Sequence, residues 1–328
     1  MSQPVVQDPP REPLSPSTPD IPYPPTGQRS RLPLPRQGKF WRAVRKAATY
    51  ALKALLIFFI VISIIAGFYR YVAPPRTTFM LSDEAPGETV YEYVPLEYIS
   101  RYYVAGVLFH EDTELGHRVG PFHVGDFIER IEAFLDDIPD NDPHGSSIPQ
   151  QLVKNIFMIR GDSTFVQASR KGVEAVLSYP FNLILGDKRQ LELYLNYAQF
   201  GPNLYGICAA SWYYFNRPPW DGSVKTAAWI AGLLPAGEDA IRAQGGGIDT
   251  NINFVDIDLL ETIWRAHAVI PYSFEYMGGW ENMTATVGIT DSASDNYPSI
   301  HEDSCSTMPE SVARRLAAEG ARWSTEYE

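Results

Sequence analysis

The sequence predicts a mostly α fold standing behind a single N-terminal transmembrane helix. Three observations carry that expectation: one apolar run long enough to cross a bilayer, helix-period apolar stripes through most of residues 91–234, and no strand-rich stretch to compete with them. The 328 residues leave room for one ordinary domain plus extra segments, since domains run to about 100–200 residues and neither end reads as a core.

Residues 1–46 form a basic, Pro-rich tail, with Pro4, Pro9-Pro10, Pro22 and Pro24-Pro25 among few apolar side chains. Such a segment cannot bury a core and is expected to be disordered. Residues 47–72 follow as the predicted membrane span, uncharged from Ala54 to Tyr69, with Lys53 near enough to the end to snorkel. Arg36, Lys39, Arg42, Arg45 and Lys46 precede the span and few cations follow it closely. The positive-inside rule then puts the N-terminus in the cytoplasm and the bulk of the chain outside. A cleaved signal peptide fits poorly, because the stretch before the span is too long and Phe68-Tyr69-Arg70-Tyr71 offers no small-residue cleavage site.

Pro74-Pro75 closes the span, and residues 73–236 read as the catalytic domain. Val104–Phe109 is an apolar helical run leading straight into Glu111. Asp126–Leu135 has helical spacing and is followed by Asp136–Pro143, a loop by composition that suits a mobile flap. Gln150–Met158 and Ala168–Leu185 read as helices, as does Asp187–Phe200, where Leu191, Tyr194, Leu195 and Ala198 form one stripe. Leu204–Phe215 and Ser223–Leu234 continue the pattern, the latter with Ser223 as N-cap and Pro235 as stop. In residues 237–328 the periodicity fades into Gly245-Gly246-Gly247 and scattered acids, leaving an acidic extension of unassigned role.

Charge is unevenly placed. The first 46 residues carry a net +5 and residues 237–328 a net −11, within a total of −12. The acidic part excludes a nucleic-acid partner, while the membrane is an expected one. Cys208 and Cys305 are the only cysteines, too few for a thiolate zinc site or a disulfide framework, although an oxidising exterior permits one bridge. His110, His117, His123 and His144 lack metal-ligand spacing, so no metal site is assigned.

Three polar clusters interrupt the apolar helices. The first is His110-Glu111-Asp112. The second runs from Gly145-Ser146-Ser147 through Pro149, Gln150 and Gln151 to Lys154-Asn155, and the third is Arg170-Lys171 with Glu174. Arg170 and Glu174 are i,i+4 and Lys171 and Glu174 are i,i+3, so acid and cations share a helix face; a surface ion pair of little energy would look the same. Gly145-Ser146-Ser147 supplies donors at a helix start, where phosphate seats well. Together they have the composition of a site in which a carboxylate takes a proton while cations hold a phosphate.

In order and spacing these clusters resemble the peptidoglycan glycosyltransferase family, found within class A penicillin-binding proteins and as monofunctional transglycosylases. The resemblance runs from about Tyr91 to Pro235. It begins with Val94-Pro95-Leu96-Glu97-Tyr98-Ile99-Ser100 and Glu111-Asp112, and takes in Gly145, Ser146, Gln150, Gln151, Lys154 and Asn155, then Arg170, Lys171 and Glu174. Lys188-Arg189-x-Leu191-Glu192-x-Tyr194-Leu195-Asn196 and Phe200-Gly201-Pro202-x-x-Tyr205-Gly206 complete it. Departures are Leu115 for Phe, His117 one position early with Arg118 at the family's His, Ser147 for Thr, Pro149 for Thr or Ser, and Cys208 and Thr226 for Glu.

The resemblance implies a lysozyme-like, two-lobed glycosyltransferase domain with an apolar edge against the membrane. It implies polymerisation of lipid II into β-1,4-linked glycan with inversion and release of undecaprenyl pyrophosphate. Glu111 is then the general base and Glu174 the second catalytic carboxylate, which orients the cations or helps to bind a divalent ion. Asp112, Ser146, Gln150, Gln151, Lys154, Asn155, Arg170 and Lys171 bind substrate. No cofactor is required, although a divalent cation (Mg or Mn) is compatible with Glu174. Expected partners are lipid II, the growing glycan chain and cell-wall synthesis proteins, at the bacterial inner membrane with the catalytic domain periplasmic. Two readings stay open beside it: a weak or inactive relative serving as an envelope scaffold, and a muramidase-like hydrolase, against which the cation cluster speaks because neutral glycan needs no pyrophosphate clamp. The chain after Gly237 has no Ser-x-x-Lys and is too short for a transpeptidase domain.

Overall fold

The computed structural model describes residues 37–125, 128–129, 146–160, 164–292 and 302–323. The Pro-rich stretch 1–36, Gly145, the loop Asp136–Pro143 and most of the helix expected over Asp126–Leu135 lie outside the described residues.

Helix α1, Gln37–Tyr69, is the one helix among the described residues long and apolar enough to cross a membrane, with a mean hydropathy of 2.6 over its most apolar stretch. It starts ten residues before the expected span because Lys39, Arg42, Arg45 and Lys46 are good helix formers that need no apolar surroundings. Leu55, Leu56, Ile57, Ile60 and Ile64 are exposed side chains, as a lipid-facing helix requires. Nearer its end α1 turns inward: Ile62 and Ala66 are buried, and Tyr69 meets the rings of Phe157 and Phe181 at 6.3 and 6.1 Å between centroids.

Beyond a short turn, α2 at Thr78–Leu81, the chain is helical as predicted: α3 Arg101–Glu111, α4 Ile148–Phe157, α5 Thr164–Leu185, α6 Asp187–Tyr197, α7 Ile207–Phe215 and α8 Val224–Leu233. Ser223 caps α8, in a reciprocal bond pair with Thr226, so Thr226 serves the helix start at a position where the family has Glu. Pro149 falls in the first turn of α4, where no intrahelical N–H bond is lost. A small sheet is the element the periodicity did not announce: β1 Val90–Tyr91 runs parallel to β3 Leu204–Tyr205, and β2 Gln199–Gly201 pairs antiparallel with β3. Strands of two or three residues are too short to show an alternation.

Packing does not change at residue 237. Helices α9 Ile257–Tyr276, α10 Trp280–Thr286 and α11 Glu310–Ala318 share the larger hydrophobic core with α3, α7 and α8 through Leu259, Leu260, Ile263, Ala266, Ile270, Met283 and Val312. Gly232 of α8 allows close approach: a Cβ there would sit 2.8 Å from the Ile263 Cα. Cys208 of α7 is disulfide-bonded to Cys305. Trp212 Nε1 donates to the Cys305 carbonyl at 2.8 Å, and the Tyr213 hydroxyl donates to the Glu319 carboxylate at 2.9 Å. The acidic extension is thus part of the catalytic body.

A second, smaller core joins Leu152, Val153 and Ile156 of α4 to Leu177 and Phe181 of α5 and to Leu193 and Tyr197 of α6. The two cores meet near the C-terminus of α3 and the start of α4, where the first two polar clusters lie.

Candidate active site

Glu111 is the last residue of α3, a helix whose preceding positions Tyr103–Leu108 are all buried. The next carboxylate, Asp112, takes both arms of the Arg118 guanidinium at 2.8 and 2.9 Å and accepts the Ile148 N–H at 3.0 Å. Ile148 opens α4, where unpaired N–H groups favour a negative charge. Asp112 therefore ties the end of α3 to the start of α4, which brings Glu111 to Gln151.

Gln151 Nε2 donates to Glu111 Oε2 and to the Ser146 carbonyl, both at 2.7 Å. The Tyr194 hydroxyl donates to Gln151 Oε1 at 3.0 Å and lies 3.4 Å from Glu111 Oε2. Burial first, and then the Glu111 carboxylate, push the Tyr194 phenol well above its usual range, so it keeps its proton and remains a donor. His110 Nδ1 stands 2.8 Å from the other Glu111 oxygen. Glu111 is held on both oxygens.

The cations come from α4 and α5. Glu174 is fully buried, with Arg170 Nε 3.3 Å from one oxygen and Lys171 Nζ 3.1 Å from the other. Neither Glu174 oxygen has a hydrogen-bond partner among the described residues, so its charge is met by cations alone. Lys171 Nζ also donates to Ser146 Oγ at 2.6 Å, linking the third cluster to the second. Lys154 stands one turn beyond Gln151 on the same side of α4, its Nζ 5.5 Å above the Phe79 ring. Burial lowers the Lys154 ammonium below its ordinary range, with the Glu174 carboxylate pulling it back up.

These groups open onto one cleft of about 480 Å³ lined by Glu111, Ser146, Gln151, Lys154, Lys171 and Glu174, with Phe109 and Leu234 as apolar walls. Four of the sequence-predicted residues do not line it. Asp112 is buried in its pairing with Arg118, and Gln150 in accepting from the Ser147 N–H and hydroxyl at 3.3 and 3.1 Å. Asn155 is 5% exposed, and Arg170 reaches Glu174. Leu115 is buried in the core. Sequence reasoning missed Tyr194 as a site residue and missed Thr262, Arg265 and Val269 of α9, which form a further wall of the cleft. Tyr194 stood in the sequence as a member of an apolar stripe and of the Lys188–Asn196 motif, neither of which gave it a role in the site.

Glu174, the carboxylate that the resemblance would pair with a divalent ion, is flanked by two cations. No group of three His, Cys, Asp or Glu that could hold a metal comes together among the described residues.

A carboxylate positioned by an amide and a phenol, in one cleft with a cation cluster, is the equipment of a group transferase acting on a phosphate-bearing substrate. The chain belongs to the transglycosylase family, which it matches over residues 81–245. It is 36% identical over 188 residues to the biosynthetic peptidoglycan transglycosylase of Marinomonas sp., covering 57% of this chain and 77% of that protein. Proteins of the same description from Shewanella frigidimarina and Agrobacterium fabrum are 37% and 32% identical, over 51% and 63% of this chain and 70% and 88% of theirs.

Proposed function

We propose that this cleft joins lipid-pyrophosphate-linked disaccharide units into a β-1,4 glycan strand, with lipid II as the substrate. The chain is a peptidoglycan glycosyltransferase; what the cleft supports is an assignment of roles. The observation that carries it is the Gln151 bridge, which fixes Glu111 in the same cleft as Lys154 and Lys171. In the reaction, the acceptor sugar's 4-hydroxyl oxygen forms a bond to the anomeric carbon, the carbon–oxygen bond to pyrophosphate breaks, and the configuration inverts. The hydroxyl proton goes to Glu111, and the departing electron pair stays with the pyrophosphate.

Lys154 is the natural seat for that leaving group, because no carboxylate lies within ion-pair distance of its Nζ among the described residues. Lys171, shared between Glu174 and Ser146, completes the clamp from the other helix. Glu174 holds the cations in place. A scaffold without activity would not need the carboxylate to be held on both oxygens.

The apolar part of α1 supports a single-pass membrane anchor, and the cations before it support a cytoplasmic N-terminus with the cleft outside. A reporter fused after Glu328 should be active in the exported compartment alone; cytoplasmic activity overturns the topology.

The decisive assay incubates purified protein in detergent with labelled lipid II and separates polymer from substrate. Glu111→Gln keeps shape and hydrogen-bonding reach but cannot take the proton. Polymer formation should fall by about 10²–10⁴-fold while lipid II binding stays near wild type. Equal polymerisation by this variant would remove Glu111 as the base.

A further inference from the structure

Helix α9 lies beyond residue 245, where the family match ends, yet it walls the cleft. Its cleft-lining Arg265 and Val269 are followed by Tyr272 and Tyr276 at intervals of four, three and four residues, which places all four on one face of the helix. At 1.5 Å per residue this face carries the cleft wall outward by about 16 Å. Tyr272 and Tyr276 are 65% and 79% exposed, and their rings stack at 6.1 Å with 18° between their planes. Two large aromatic side chains this exposed gain little from burial in this chain.

From this geometry we infer that Tyr272 and Tyr276 form a carbohydrate-binding platform that receives the glycan strand where it leaves the cleft. The inference rests on the glycosyltransferase reading of the cleft and names the path of its product. Continuity with the cleft singles out this occupant, since a polymer made there must lie along one of its walls as it grows. Chemistry agrees: a pyranose ring presents a face of C–H groups that lies well on an aromatic ring, and its hydroxyls suit the phenol oxygens. Charge argues against a bilayer in the same place. On α9 the exposed acids Asp258, Glu261 and Glu275 outnumber the exposed Arg265, within a segment of net −11, so anionic headgroups would be repelled. A neutral, hydroxyl-rich chain meets no such penalty.

The test titrates full-length protein in detergent with the β-1,4-linked hexamer of N-acetylglucosamine, and separately measures strand length made from lipid II. The double variant Tyr272→Ala/Tyr276→Ala should bind the hexamer at least fivefold more weakly and make strands less than half the wild-type length. Tyr272→Phe/Tyr276→Phe keeps the rings and should retain most of both. Because both side chains point to solvent, circular dichroism should be unchanged in each variant. Failure of wild type to bind the hexamer, or equal binding and equal strand length in the alanine variant, overturns the platform. So does loss of partitioning onto phosphatidylglycerol vesicles with hexamer binding intact, which would make the face a lipid contact. If wild type makes no polymer but the alanine variant still loses the hexamer, the platform stands and the polymerase reading fails.

Discussion

Gln151 Nε2 lies 2.7 Å from Glu111 Oε2, a hydrogen bond between residues 40 positions apart in the chain. The amide fixes where the carboxylate points, and Tyr194 fixes the amide from behind at 3.0 Å. A hydrogen bond to a charged group is worth about 1.5–3 kcal/mol, which is roughly a 10–100-fold change in rate if it is needed at the transition state. Gln151→Leu should therefore lower turnover of lipid II by about that factor, and Tyr194→Phe by less, because it acts one bond further away. A larger loss in Tyr194→Phe than in Gln151→Leu would mean that the phenol itself meets the substrate.

Lys154 sets an alkaline limit. Burial outweighs the pull of Glu174 and lowers its ammonium below the ordinary 10.5. A lysine shifted down loses its charge at lower pH than a free one, so substrate affinity should decline on an alkaline limb below that value. The same shift makes the folded state more favourable as pH rises through the lowered value toward 10.5, since the neutral amine is the easier form to bury. The decline is therefore one of binding, not of unfolding. Replacement by Arg, which stays charged past pH 12, should move the limb upward. An identical pH profile in Lys154→Arg would assign the limb to another group.

Arg118 and Asp112 are both nearly inaccessible, with side chains 5% and 4% exposed. Removing one member of a buried pair strands the other charge, at a cost of about 3–5 kcal/mol. Arg118→Ala should lower the thermal midpoint sharply and weaken the junction of α3 with α4. Restoring the family residue as Arg118→His should be milder than Ala if an imidazole still reaches Asp112. A midpoint within a degree of wild type for Arg118→Ala would show that the pair does not hold this junction.

The bridge between Cys208 and Cys305 spans 97 residues. In the chain-entropy description a loop of that size stabilises by about 4–5 kcal/mol. Cys208→Ser/Cys305→Ser, or reduction of the wild type, should lower the thermal midpoint by more than about 5 °C. Thiol titration of the protein, unfolded after purification without reductant, should find no free cysteine. Two titratable thiols would mean that the pair does not form.

Much of the helical frame was legible because buried helices leave a 3.6-residue apolar stripe that survives in the sequence. Ser223 and Pro235 gave α8 nearly to the residue, whereas the helix read from the Leu191–Ala198 stripe overran the end of α6 by three residues, into β2. Helix α9 was not legible. Its inward residues Leu259, Ile263, Ala266 and Ile270 are periodic, but exposed Trp264, Val269, Tyr272 and Tyr276 erase the polar contrast, and Pro271 sits inside it. Exposed aromatics blur the same signal that buried ones create.

By itself the sequence determined the long apolar N-terminal helix, the helical class, the family and the residues of the three clusters, because each depends on local composition or on spacing within one helix. Which of those residues face the cleft was decided only by tertiary structure. Gln150 and Gln151 are neighbours of the same type, yet one caps its own helix and the other reaches Glu111, since a turn of α4 points them in different directions. Asp112 and Arg118 became a structural weld, and a helix from the acidic extension became a wall of the cleft. Such assignments depend on which distant surfaces meet when two cores pack, and no stretch of local sequence contains that information.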